Sequence, residues 1–447
     1  MKPITVLIFL KVVVVATFAQ STVYEPPVDY PYANDFKVKV NDKESFVYDN
    51  RVAAYTSFTI DGKTTIEVQF FGNIYEVDIR PKNLHIIPRV KEGKIIFTLT
   101  DPCNISVEVN KNLKRPLFVF ANPPETDKPM KDAPNVHFFE GGKIHQTGRI
   151  TLKDNDIVYI EGGAVVKGSL FLDSIKNIHI MGYGILDGDC IYEKGQERMI
   201  EINRCEHIRV EGIIINESKH WTAPCNKSKN ITYRNIKIVS GNDWDDGIDI
   251  VSSQHILVDG CFIRTKDDCI ALKAGVNYYT DFFNQLPTKD VQVVNSVLWN
   301  AEWGNGLEIG FETRADSIKD IVFRNNDLIH VEGPEGTFTI HNGDRAIVEN
   351  VLYENIRVED SRGILVDFKI LDSQYSKDKE KGQIKNIVFR NIAVEGDVFP
   401  PSLLLGYDDT HGIENVVFDA FRVYGKKISS AEDLKATLQF AKSITFK

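Results

Sequence analysis

The chain has 447 residues, 43% of them hydrophobic and 26% charged, enough to bury one large core or two smaller ones. That balance excludes a disordered chain, and 6 cysteines over this length exclude a small disulfide-stapled scaffold. The formal charge of -10, from 53 Lys+Arg against 63 Asp+Glu with no long basic tract, argues against a surface that tracks nucleic-acid phosphates.

The opening MKPITVLIFLKVVVVATFAQS has an early lysine, an apolar stretch broken by Lys11, and small residues before a polar segment. This layout predicts a secretory signal peptide over residues 1–19, cleaved after Ala19, and a secreted or periplasmic protein. No later run of about 18 apolar residues occurs, so no integral membrane segment is expected. Cys103, Cys190, Cys205, Cys225, Cys261 and Cys269 have spacings that fix no disulfide pairing, and buried free thiols fit as well as bridges.

Residues 20–125 read as short alternating segments separated by turn-like NDK, DGK, FGN and EGK: FKVKV, SFVYD, TTIEVQF, YEVDIR, LHIIPRV, KIIFTLT, ISVEVN and LFVF. Period-two alternation predicts a small antiparallel β-sandwich domain with one face of each sheet buried. The stretch NPPETDKPMKDAP, rich in proline and charge, reads as a crossing between domains, with the linker placed at 126–136.

Over 137–447 one phrase recurs, a polar residue followed by alternating β-branched or aromatic residues: KNIHIMG, EHIRVEG, KNITYRN, QHILVDG, KDVQVVN, KDIVFRN, ENVLYEN, KNIVFRN and ENVVFDA. The first apolar residue of each falls at Ile178, Ile208, Ile231, Ile256, Val291, Ile321, Val351, Ile387 and Val416, at intervals of 23 to 36 residues. Strand-bearing repeats of this period with no amphipathic helix between them predict a parallel β-helix, with Ile and Val inward and longer intervals forming groove walls. The recurrent asparagine fits a stacked amide ladder inside the coils or at a corner. A large antiparallel sandwich with coincidental spacing is the alternative.

Acidic residues concentrate in two successive repeats, GNDWDDGIDI with Asp243, Asp245, Asp246 and Asp249, and RTKDDCIALK with Asp267, Asp268 and Lys273. Asp246 and Asp267 are 21 residues apart, about one short coil, so stacking brings them to roughly 5 Å, the spacing of adjacent strands. Clustered carboxylates raise at least one pKa and leave a protonated acid beside ionised partners. That pairing suits glycosidic hydrolysis, where an acid protonates the leaving oxygen and a carboxylate deprotonates water. Turn capping or calcium binding are the plainer readings of the same aspartates, although the twelve-residue spacing and final Glu of an EF-hand are absent.

With WDDGID at 244–249 and KDDCIALK at 266–273, the sequence resembles the polygalacturonase-like glycoside hydrolases of family 28, of the pectin-lyase-like β-helix class. The first phrase matches the second half of that family's N-T-D-G-x-D motif, and the second matches its aspartate pair. The resemblance spans roughly residues 135–440, and the preceding sandwich is similar to the two-domain arrangement of the related dextranase and isopullulanase family 49. It implies an all-β chain, a right-handed parallel β-helix preceded by a small antiparallel β-sandwich. It also implies a secreted inverting hydrolase with Asp267 as general acid and Asp246 and Asp268 activating water. Stacked coils suggest a closer acid–base separation than the 6.5–9.5 Å usual for inversion, roughly one strand spacing, so separation does not settle the stereochemistry.

The departures bear on the substrate. Where the family has G-H-G this chain has WGNGLEIGFE, placing Asn305 at the histidine position with Glu308 and Glu312 nearby. The family's R-I-K falls at TFTIHNGD, with Thr339 and His341 in place of the cations. Cations of that kind hold a galacturonate carboxylate, so their loss speaks against ordinary polygalacturonase activity and for a neutral sugar, or for a uronate held by other residues such as Lys273. Expected substrate contacts are Trp221, Asp249, Lys273, Trp303, Asn305, Glu308 and His341; Trp221 lies in the HW phrase that looks like the family's substrate-side loop, and Trp244 and Trp303 flank the acidic motifs. A polysaccharide lyase on the same scaffold and a non-catalytic carbohydrate-binding β-helix are the alternative functions. No motif calls for a cofactor or catalytic metal, the expected partner is a carbohydrate, and nothing in the sequence sets an oligomeric state.

Overall fold

The computed structural model describes residues 20–190, 197–275 and 286–447; the predicted signal peptide lies outside them. Among the described residues the chain is built from strands, with one short 3-10 turn at Lys82–Leu84, and no helix is long and apolar enough to cross a membrane.

Two sheets form the N-terminal sandwich. One orders Lys43–Ser45, Phe36–Val40, Thr64–Phe70, Lys94–Leu99 and Arg89–Lys91, with antiparallel pairings throughout. The other orders Gln20–Val23, Ala54–Asp61, Leu117–Asn122, Cys103–Val109 and Val77–Arg80, with Val47–Asp49 also on Ala54–Asp61. Sequence alternation predicts most of these strands but misses Ala54–Asp61, and the structure shows why. Seven of its eight residues are buried, because one face packs in the sandwich core and the other meets the β-helix, so no period-two signal survives. This strand pairs in parallel with Leu117–Asn122, a departure from the all-antiparallel expectation. LHIIPRV, expected as a strand, contributes only its end to Arg89–Lys91, since a 3-10 turn and Pro88 interrupt the ladder.

From Val136 onward the described residues form 30 strands that wind into a parallel β-helix, apart from the short Lys426–Lys427 strand, which pairs antiparallel. The repeated phrases stack in register: Ile178 pairs with Ile208, then Ile231, Ile256, Val291, Ile321, Val351, Ile387 and Val416 follow, and Ile444 adds a further coil. These residues point inward into one continuous apolar core. Toward the C-terminal end the core becomes a column of rings, with Phe323, Tyr353, Phe389, Phe418 and Phe446 stacked at centroid spacings of 5.0, 4.7, 5.0 and 5.0 Å. The polar residue before each phrase turns the corner in the left-handed region, an asparagine at Asn230 (φ 58°), Asn350 (φ 58°) and Asn415 (φ 56°) and an aspartate or histidine at others, such as Asp320 (φ 59°) and His255 (φ 58°). At the asparagine corners the side chain also ladders. Its amide bonds up the stack at the exposed corner: Asn350 Nδ2 donates to Asp320 Oδ1 at 3.0 Å and Asn415 Nδ2 to Asn386 Oδ1 at 2.8 Å.

The sandwich docks on the sheet that includes Ile214–Asn216, Lys237–Val239, Phe262–Thr265 and Val297–Asn300. Phe118 packs on Phe262 (4.8 Å) and Trp299 (5.7 Å), and Phe120 packs on Phe262 (5.3 Å). At the margin Arg80 pairs with Glu108 (3.2 Å) and Glu359 (2.7 Å), and His330 bridges Glu108 (3.0 Å) to Asp360 (3.1 Å). The six cysteines are free thiols, and Cys205, Cys225, Cys261 and Cys269 are buried. Because Phe118 is fully buried between the two bodies, Phe118→Ala is expected to cost about 3–5 kcal/mol. Denaturant unfolding is expected to show this loss, with sandwich and β-helix separating into two transitions.

Candidate active site

The acidic corner is built by register. Ile248 pairs with Ile270 and Ile270 with Leu307, so the residues two places earlier, Asp246, Asp268 and Asn305, climb one edge of consecutive coils. Backbone bonds fasten the climb: Gly247 N–H donates to Asp268 O at 2.8 Å and Cys269 N–H to Asn305 O at 3.0 Å. A Cβ on Gly247 would lie 2.4 Å from Cys269 O, and one on Gly304 would lie 2.4 Å from Asp267 Oδ1. Only glycine permits coils this close beside the acids. One oxygen from each of Asp246, Asp267 and Asp268 lies within 4.8 Å of the others.

Each carboxylate has a different escort. Asp246 Oδ2 accepts from Lys273 Nζ at 2.9 Å, and Lys273 also donates to Asp249 Oδ1 at 2.7 Å. Asp268 Oδ1 accepts both the backbone N–H (2.7 Å) and the Nδ2 (2.9 Å) of Asn305. Asp267 Oδ1 accepts the N–H of its neighbour Asp268 at 3.0 Å. Beneath them buried Asp245 takes the N–H groups of Lys266 (2.8 Å) and Asp267 (3.0 Å), which fixes the turn that presents Asp267. Burial, and then the charge of Asp246, push the Asp267 carboxyl up to about 8. Burial followed by the Asp246 and Asp267 charges also raises Asp268. Lys273 is held well above its ordinary value because Asp246 and Asp249 outweigh its burial.

Above this corner opens a cavity of about 760 Å³. Asp246, Asp267, Asp268 and Lys273 lie on its surface with Asp243, Lys266, Glu312 and Glu335; Trp221, Trp244 and Trp303 wall it with His220, Gly304 and Phe311, and Ser373, Gln374 and Tyr375 close another side. The loop bearing Tyr375 is pinned by buried Asp344, which accepts the N–H groups of Lys377 (2.6 Å) and Asp378 (2.7 Å).

Four residues expected at the substrate do not line the cavity. Asp249 is buried against Lys273. Asn305 lies behind Asp268, with Nδ2 also 3.0 Å from Glu335 Oε2 and Oδ1 accepting Gly336 N–H at 2.9 Å. Glu308 and His341 form a buried ladder in which His341 contacts Glu308 (3.1 Å) and Asp367 (3.2 Å) and stacks on Phe311 at 4.4 Å. All four side chains are buried, and their bonds are made to the protein groups around them. Trp221, Lys273 and Trp303 do reach the cavity. Sequence reading missed Glu335 and the Ser373–Tyr375 wall. Neither sits in a motif, and only coil stacking and a long interval between phrases bring them to the aspartates.

Fold and site together define the β-helix class of carbohydrate-active proteins. The family model for glycosyl hydrolases family 28 matches residues 141–439, and the chain belongs to that family. The polygalacturonase of Saccharomyces cerevisiae is 25% identical over 195 residues, covering 41% of this chain and 49% of the relative. That of Juniperus ashei is 22% identical over 246 residues, covering 49% and 45%. The chain thus spans about half the length of these curated relatives. Among solved structures, Dex49A from Penicillium minioluteum superposes with a TM-score of 0.64 at 14% identity, covering 95% of this chain and 96% of that one, a likeness of fold that extends over the sandwich as well as the coils.

The Asn305 amide ties Asp268 to Glu335, so Asn305→Ala is expected to lower kcat about 10- to 100-fold on a cleaved glycan with KM nearly unchanged, and to lower the melting temperature because Asp268, Glu335 and the Gly336 N–H lose a buried partner. Steady-state kinetics beside a thermal melt checks this.

Proposed function

We propose that the protein is an exported inverting glycoside hydrolase acting on a polysaccharide or oligosaccharide, with residues 1–19 as its export leader. The observation that carries the reading is the meeting of Asp246, Asp267 and Asp268 within 4.8 Å in a cleft sized for sugar rings. Asp267 is the general acid. Asp267 faces the cleft with only its neighbour's N–H as donor and burial lifts its carboxyl to about 8, whereas Asp246 is ion-paired with Lys273 and Asp268 is held by two N–H donors of Asn305, contacts that oppose the rise burial gives Asp268. It donates its proton to the glycosidic oxygen as that bond breaks, while Asp246 and Asp268 orient water toward the anomeric carbon and take its proton. Lys273 is committed to two carboxylates, which argues against its serving as the free base that a lyase needs.

Asp267→Asn keeps the shape of the protonated acid and removes its proton, so reducing-end release is expected to fall by at least about 10³-fold with the circular dichroism spectrum unchanged. Normal turnover by this variant would sink the assignment, and an unsaturated product would point to a lyase. Proton NMR of the first-formed anomer tests inversion.

The pH dependence has a definite sign. The folded Asp267 pKa of about 8 lies above the ordinary 3.8, so its protonated form is favoured by folding and that stability is lost as pH rises from 3.8 through about 8. Activity is expected to fall over the alkaline end of the same window as the acid loses its proton. Asp267→Asn is expected to flatten the alkaline loss of stability in thermal melts.

A further inference from the structure

The lining of the cleft is poor in available positive charge and rich in exposed indole. Among the described residues that line it, the cations are Lys266 and Lys273. Lys273 Nζ is spent on Asp246 and Asp249 and lies 4.0 Å over the Trp221 ring, which occupies one face of that indole as well. Lys266 bridges Asp243 (2.7 Å) and Glu302 (3.3 Å), so its charge is already shared between two acids at the rim. His220 is half-buried, and its Nδ1 accepts the N–H of Trp221 at 2.8 Å, which fixes it as a neutral acceptor. Glu312 and Glu335 add further carboxyl groups to the lining. A second observation is independent of charge. Trp303 is 54% exposed, and Trp244 is 57% exposed and held at φ 67°, a backbone conformation that a bulky side chain adopts only under constraint. The DWDDG turn therefore spends strain to present an apolar ring to solvent at the mouth of the cleft, an arrangement suited to the apolar face of a pyranose.

Building on the hydrolase reading above, we propose that the cleft selects an uncharged sugar at the cleavage site, gripped by the Trp244 and Trp303 indoles, and disfavours the uronate form.

The experiment uses the full chain carrying Asp267→Asn, which preserves the cleft's charge because Asn mimics the protonated acid. Isothermal titration compares neutral glucan and galactan oligosaccharides, galacturonate oligomers, and the methyl esters of those same galacturonate oligomers. At least one neutral series is expected to bind 10-fold or more tighter than the free-acid galacturonate, and the ester to bind tighter than its acid. Trp303→Ala in the same background is expected to weaken the neutral ligand at least 10-fold while leaving the melting temperature unchanged. Tighter binding of the free acid than of its ester and the neutral series overturns the proposal, as does the absence of binding by every neutral probe. Reducing-end assays on the wild type separate this from the parent reading. Neutral binding without any release sinks the hydrolase and spares the preference, whereas release from galacturonan alone does the reverse.

Discussion

The structure depends on one constraint, the backbone register between consecutive coils. Once Ile178, Ile208, Ile231 and their successors stack, every other residue has a height on the column and a side that it faces. Register converts 21 residues of separation between Asp246 and Asp267 into side-chain oxygens within 4.8 Å. It also brings Asn305 behind Asp268 from the next coil, although a long interval of chain intervenes. Strand hydrogen bonds evenly spaced along parallel ladders supply the precision that a mobile loop would lack.

What was legible in the sequence follows from which signals survive burial. The inward Ile and Val of each phrase alternate with outward polar residues, so the β-helix could be read from Ile178 onward, whereas the coils at Val136–Phe139 and Ile157–Ile160 and the last one at Ile444 fall outside the nine phrases. Ala54–Asp61 could not, because contact on both faces erases alternation. The aspartates were visible because they cluster in two short motifs. Asn305, Glu308 and His341 were visible as positions, yet their depth was not. Glu308 and His341 sit on the outward face of a strand, where solvent is the default, and are buried only because Phe311 and its neighbours fold over them. Glu335 and Tyr375 carry no local signal at all and enter the site through loop paths.

Buried charge in this molecule is organised in balanced rows. Lys273 answers Asp246 and Asp249, and His341 answers Glu308 and Asp367; burial is the largest influence on each cation and opposes its charge, yet the neighbouring acids prevail and keep both protonated. The same logic at the docking surface joins Arg80, Glu108, His330 and Glu359 across sandwich and β-helix. Breaking one member of such a row leaves another charge stranded in low dielectric, so each row behaves as a single unit with respect to substitution.

The intervals between phrases range from 23 to 36 residues, while the step from coil to coil stays that of paired strands. Among the described residues, the Val351–Ile387 interval shows where extra length goes, for its Ser373–Tyr375 segment forms a side of the cavity while the strands before and after it stay paired. One side of the cavity, at Ser373–Tyr375, is therefore carried by a part of the chain remote from the acids, while Trp244 shares the turn of Asp246. Such a corner can lengthen or shorten without shifting the acids, whose heights are set by strand pairing alone.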